Sequence, residues 1–312
     1  MVGHDRPPST SRERRIAEVG VLVVMAAWAA NFIVVKAANE QIPPVTFAFL
    51  RFAIAGGTLL LALQWREGSI GLPRRDVVPI LGLGAIGFGV YQILWSIALQ
   101  DIPAGDSALL IATTPVITAL LAVRSGADTL TPAKLGGSLL SFSGVALIVA
   151  SGAGLAFGAA LVGDLLTLVA AVCWSIYTAF GAPILRRHSP LRTTAWAMVG
   201  GSIVMAVPGL AQAIGMEWGT VQPDAWAGLA FSALVPAGIA NVVVFSAIRL
   251  LGPTRITAYQ FLVPFIAVLF GAAFLSEVVR IEQLIGGIVI VLGVAITRAD
   301  RITTFGGWLR GT

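Results

Sequence analysis

The chain has 312 residues, 57% hydrophobic and only 11% charged, with a mean hydropathy of +0.90. Soluble domains have roughly a quarter of their residues charged, so this composition excludes a soluble globular protein and makes lipid the solvent of the long apolar runs. The pI near 10.1 does not point to nucleic acid, because the arginines cluster in short loops between apolar spans, where they act as topology signals.

Residues 1–16 are polar, with Pro7, Pro8 and four arginines, and read as a flexible cytoplasmic tail. The apolar run behind them is too long for the h-region of a cleavable signal peptide. Ten helical spans follow, at 17–36, 45–64, 77–97, 105–123, 133–151, 162–182, 193–213, 225–247, 254–275 and 282–299, with a second cytoplasmic tail over 300–312. Each span is close to the ~20 residues that cross the hydrocarbon. With the N-terminus inside, 17 of the 20 Lys and Arg fall in inner segments. That bias predicts a multi-pass protein of the cell (inner or plasma) membrane with both termini cytoplasmic. Cys173 lies alone within a span, so no intrachain disulfide forms, and His4 and His188 cannot assemble a metal cluster.

The spans repeat. Shifted by 149 positions, Phe88–Val123 meets Ala237–Ala272, placing Gln92 on Asn241, Ala98 on Ala247 and Pro115 on Pro264. In the first two helices of each copy the offset is 146, with Trp28 on Trp174 and Pro44 on Pro190. The copies, 17–151 and 162–299, close with Asp128 under Glu277, Gly137 under Gly286 and Gly144 under Gly293. Five spans per copy is an odd number, so the second copy enters the membrane inverted. The spaced glycines, with Ser141 and Ser143 between them, suit close helix packing.

Several stretches carry a family resemblance: Pro43-Pro44 to Arg51-Phe52, Ala98 to Pro115, and the ends Asp128-Thr129-Leu130-Thr131 and Ser276-Glu277. The chain resembles the EamA-type transporters of the drug/metabolite transporter (DMT) superfamily. The resemblance implies a ten-helix, alternating-access carrier, often an efflux protein for amino acids, metabolites or drugs. It also implies that spans 1–4 and 6–9 surround the cavity, with 5 and 10 at the periphery. The first copy departs from that pattern in having Asp128 where Glu is usual, and in its loop Arg124-Ser125-Gly126-Ala127.

Candidate cavity residues follow from helical spacing. Phe88, Tyr91, Gln92 and Trp95 share one face of span 3, and Trp174, Tyr177, Thr178 and Gly181 share one face of span 6. Span 1 adds Trp28 and Asn31, span 8 adds Asn241, and span 9 adds Thr257, Gln260, Phe261 and Pro264. Singly, each is equally well read as a packing contact with its amide bonded across helices. As a set they suggest an aromatic-walled pocket for a zwitterionic or aromatic solute. Arg51 is the one charge well inside a span, and it should face the interior, with Asp106 and Asp164 as candidate partners; the functional reading is that it binds a substrate carboxylate, and snorkelling or a structural pair is the plainer one. Pro115 and Pro264 are expected to break paired helices and free carbonyls for a solute or for repacking.

No nucleotide loop, zinc-protease motif or nucleophile triad is present, so the expected function is transport without enzymatic activity, cofactor or metal. The expected partners are a small-molecule solute and the lipid bilayer, without nucleic acid. No carboxylate lies deep in a span, which favours facilitated efflux or coupling through Asp106 or Asp164. The rivals are a membrane-embedded enzyme acting on lipid and a non-transporting receptor or assembly protein. Substrate, direction and oligomeric state stay open.

Overall fold

The computed structural model describes residues 11–124, 131–152, 158–185, 187–251, 259–260 and 262–308, and every regular element among them is helical. In the first repeat these are α1 (Ser11–Ala38), α2 (Pro44–Glu67), α3 (Arg74–Gly84), α4 (Tyr91–Asp101), α5 (Ala104–Ile111), α6 (Thr114–Arg124) and α7 (Pro132–Gly152). In the second they are α8 (Ala159–Leu185), α9 (Pro190–Ala213), α10 (Pro223–Ser232), α11 (Ala240–Leu251), α12 (Leu262–Leu275) and α13 (Ile281–Trp308). Among the described residues, six helical stretches are long and apolar enough to cross a membrane; three shorter apolar helices and the broken pair α5 and α6 fill the other four places of the ten-helix plan. The outer surface is apolar as lipid demands: Leu61, Val207, Leu269 and Phe274 are all more than 60% exposed.

The helices overrun the expected spans. α1 begins at Ser11 rather than 17, because Arg12, Glu13, Arg15 and Glu18 are strong helix formers that need no lipid to stay helical. α13 likewise runs on to Trp308, through most of the expected tail. α2 stops where Gly68 takes a left-handed φ of +70° and donates its N–H to Gln64.

The repeats meet through mated elements. Spans 5 and 10 (α7 and α13) cross on glycines: a Cβ on Gly144 would lie 2.6 Å from the Gly286 carbonyl oxygen, and one on Gly293 would lie 2.5 Å from that of Gly137. Exchanging repeat mates turns the first contact into the second, and the index rises along one helix as it falls along the other. The pair is therefore antiparallel and self-complementary, as an inverted repeat requires. Ser141 donates to the Ile290 carbonyl across the seam at 3.0 Å. Spans 2 and 7 (α2 and α9) pair in the same manner, with Gly56 against Met198 and Thr46 donating to the Gly209 carbonyl at 2.7 Å.

Spans 3 and 8 are not simple α-helices. Each contains a π-helical stretch, Ala85–Val90 between α3 and α4 and Ala233–Ile239 between α10 and α11. A shift of 149 maps one onto the other, and even the closing bonds match: Tyr91 N–H to Ile86 and Ala240 N–H to Val235. Span 4 is broken at Ala112 and Thr113, with Pro115 the second residue of α6, where its missing N–H costs nothing.

Candidate functional site

The polar candidates converge around the second π-helical stretch. Pro236 has no N–H to offer the Ser232 carbonyl four residues earlier, and Arg51 Nε from α2 donates to that carbonyl at 3.3 Å. The other arm of the same guanidinium donates to Gln92 Oε1 on α4 at 3.3 Å. Ser232 Oγ donates to Asn31 Oδ1 on α1 at 2.5 Å, and Trp28 Nε1 donates to the Pro236 carbonyl at 3.1 Å. Asn241 Nδ2 bonds back to the Ala237 carbonyl at 2.7 Å. Helices from both repeats thus meet around this π-helical stretch, whose backbone carbonyls accept from Arg51 and Trp28 in the first repeat.

This replaces the expected pairing of Arg51 with Asp106 or Asp164. Asp106 is held by Arg280 instead, because the first turn of α5 faces the segment between α12 and α13. Arg51, only 5% exposed, is a buried cation whose hydrogen-bond acceptors are neutral groups.

The aromatic candidates form an adjoining cluster. Phe88, within the first π-helical stretch, stands 5.0 Å from Tyr177, 5.6 Å from Trp174 and 5.4 Å from Phe52, ring centre to ring centre. Tyr91 bridges Trp174 at 5.7 Å and Trp95 at 6.3 Å. Glycine makes room for two of these residues: a Cβ on Gly87 would collide with Tyr177, and one on Gly201 would lie 2.7 Å from Phe88 Cβ. Trp95 Nε1 donates to Ser107 at 3.1 Å. The Tyr177 hydroxyl is buried and has no hydrogen-bond partner among the described residues.

These side chains pack on one another; Trp95 is 2% and Phe88 3% exposed. A cleft of about 330 Å³ between α1 and α10, edged by Val34, Gln41, Asp224 and Phe231, does not include them. Neither does one of about 340 Å³ on the α2–α9 face. Gln260 is half-buried ahead of α12, and no side-chain bond joins it to the network among the described residues. Pro264 is the third residue of α12. Thr257, Phe261 and Asp128 lie outside the described residues. The carbonyls freed by the span 4 break are taken locally, that of Leu110 by the Thr113 hydroxyl and that of Ile111 by the Thr114 hydroxyl, each at 2.7 Å.

Sequence reasoning missed Ser232. Its signal was its place four residues before a proline inside an apolar span. It also missed the polar tie at the other end of α1, where Lys36 Nζ meets Glu277 Oε1 at 2.8 Å and Glu277 accepts the Ala104 N–H at 2.9 Å.

A ten-helix bundle of two inverted repeats, with broken or π-distorted helices and polar groups meeting where the copies join, is the architecture of a secondary membrane transporter. The chain belongs to the EamA-like transporter family, whose profile matches residues 15–150 and again 161–299. It is 29% identical over 284 residues to an "Uncharacterized transporter" of Archaeoglobus fulgidus, covering 89% of this chain and 96% of the relative. It is 28% identical to a "Probable terminal-alkyne amino-acid exporter" of Streptantibioticus cattleyicolor, covering 88% and 90%. It is 25% identical to a "Probable amino-acid metabolite efflux pump" of Salmonella typhimurium, covering 88% and 92%. A solved crystal structure of a protein with 19% identity shares the fold at a TM-score of 0.63, over 91% of this chain and 97% of the other.

Proposed function

We propose that this chain exports small organic solutes, amino acids and their derivatives foremost, by alternating access of its two repeats across the cell membrane. One observation carries the choice of solute. Among the described residues, a buried arginine bonded to neutral acceptors stands at the repeat interface beside an aromatic cluster whose Tyr177 hydroxyl has no partner. A carboxylate would exchange with Gln92 for the Arg51 fork, the aromatic faces would take an apolar or aromatic body, and Tyr177 would gain its missing partner. In the present conformation the cluster is closed, so loading requires the repeats to rock apart around it. The two relatives named for amino-acid export support the same solute class.

The test is counterflow in liposomes containing only this protein, with a panel of aromatic and aliphatic amino acids, sugars and cationic drugs. Uptake of a labelled aromatic amino acid against its unlabelled form is the expected result. With Cys173 replaced, single cysteines at 88, 91, 92 and 95 should react with a small aqueous thiol reagent, and solute should protect them. Inertness at all four positions, in protein that still transports, would place the solute path elsewhere.

A further inference from the structure

At the opposite end of α1 from Ser11, a second charged cluster ties the two repeats together. Lys36 pairs with Glu277, which also accepts the backbone N–H groups of Ala104 at 2.9 Å and Gly105 at 3.5 Å. Arg280 pairs with Asp106, and the Gln283 amide faces the same carboxylate. The geometry is built rather than incidental. Ser276 holds a left-handed φ of +54°, which folds the chain back after α12 so that the Glu277 N–H reaches the Gly271 carbonyl. Gly271 makes the room: a Cβ there would lie 2.5 Å from Glu277 Oε2.

Asp164, near the start of α8, completes this cluster without being satisfied by it. The charges of Asp106 and Arg280 both act on it. It is 3% exposed, and its Oδ1 is buried with no hydrogen-bond partner among the described residues; the same holds for Asp106 Oδ1, in a residue 2% exposed. Three carboxylates, Asp106, Asp164 and Glu277, therefore share two cations, Lys36 and Arg280, leaving one excess negative charge in a buried place. The other acidic groups nearby, Asp101 on α4 and Glu282 on α13, are exposed to solvent. A carboxylate only accepts hydrogen bonds, so each of these buried oxygens needs a donor. One proton bound by Asp164 cancels the excess charge and removes an ionised carboxylate from a buried place.

We propose that Asp164, together with Asp106 and Arg280, binds one exchangeable proton. The cluster spans α1, α5, α8 and the α12–α13 segment, hence both repeats, and Lys36 and Arg280 are each about a quarter exposed, so water has a route to it. Under the carrier reading above, on which this last step rests, the proton is the coupling ion, and its arrival redistributes the pairing that holds this end closed.

The test is an infrared pH titration of the purified protein in nanodiscs between about pH 5 and pH 9, the range that buried carboxyls reach. It follows the carbonyl stretch of a protonated carboxylic acid and requires no transport. One such band should appear per chain as pH falls, and Asp164→Asn should remove it. Asp224→Asn, an exposed control, should leave it unchanged. Arg280→Gln and Asp106→Asn should each shift the midpoint by about one pH unit or more, and they serve if Asp164→Asn does not fold. Absence of any titrating band, its survival in Asp164→Asn, or a midpoint unmoved in both of the other variants would overturn the proposal. A normal titration in protein that moves no solute would leave the proton site standing and remove the carrier reading.

Discussion

Arg51 reconciles a charge with an apolar span by donating to a backbone carbonyl of a neighbouring helix and to a side-chain amide. The Ser232 carbonyl and Gln92 are its two acceptors, so truncation removes a donor from each. Arg51→Ala should therefore lower stability by about 1–3 kcal/mol and impair transport, read as melting temperature in detergent and as counterflow in liposomes. Arg51→Lys keeps the charge but loses the planar fork that reaches two acceptors on different helices, so partial activity is expected. Gln92→Ala should weaken apparent solute affinity by about 1 kcal/mol, while conservative apolar changes at Leu94 and Ile97 should be tolerated. Wild-type flux in a well-expressed Arg51→Ala protein would make the arginine idle. The candidates at this scale were legible because polar and aromatic residues in a lipid-facing chain are rare and helical spacing sorts them onto faces. Their partners were not: which carboxylate or carbonyl an arginine meets depends on how distant helices cross, and spacing along one helix is silent about that.

The helices themselves carry distortions at matching places. Two π-helical stretches 149 residues apart let the Phe88 face turn toward α8 and α9, and put the Ser232 and Pro236 carbonyls within reach of α1 and α2. The sequence marked the prolines that break spans, but it gave no sign of the π geometry, since one extra residue in a helical turn changes no composition. Glycine decides how closely these stretches pack. A Cβ on Gly201 would lie 2.7 Å from Phe88 Cβ and 3.0 Å from the Gly89 nitrogen, with rigid backbone on both sides, whereas nothing lies within 4 Å of one on Gly57. Gly201→Ala should thus cost about 1–3 kcal/mol through overpacking and lower the melting temperature. Gly57→Ala, on the exposed side of α2, should be neutral or stabilise by up to about 1 kcal/mol because alanine favours the helix. Equal melting temperatures for the two variants would mean that α9 shifts freely against the π-helical stretch and that the close packing sets nothing.

At the scale of the molecule, the repeat was the most legible feature, because inversion follows from an odd number of spans and needs no contact to be known. The Gly144–Gly286 and Gly137–Gly293 crossing now gives it a physical form. Orientation in the membrane rests on different ground, the distribution of charge. Under the N-inside reading, the outer side carries Lys36 and Arg280, both committed to carboxylates, while the inner loops carry the basic excess. Some of that excess is also structural: Arg187 and His188 clasp Asp76, and Arg192 pairs with Glu67, joining the end of α2 and the first turn of α3 to the start of α9 and the loop before it. Arginines engaged in folded contacts still count at insertion, when the loops are not yet paired, so the bias of 17 in 20 should fix both termini in the cytoplasm. A reporter active only in the cytoplasm should work at either terminus and in the loop around 187–189, and one active only outside should work in the loop around 215–222. Adding four lysines to that outer loop should lower correct insertion, whereas four aspartates should have little effect, because the rule weighs Lys and Arg and not net charge. An outward C-terminal reporter would overturn the even number of spans, and with it the inversion that brings α2 against α9 and α7 against α13.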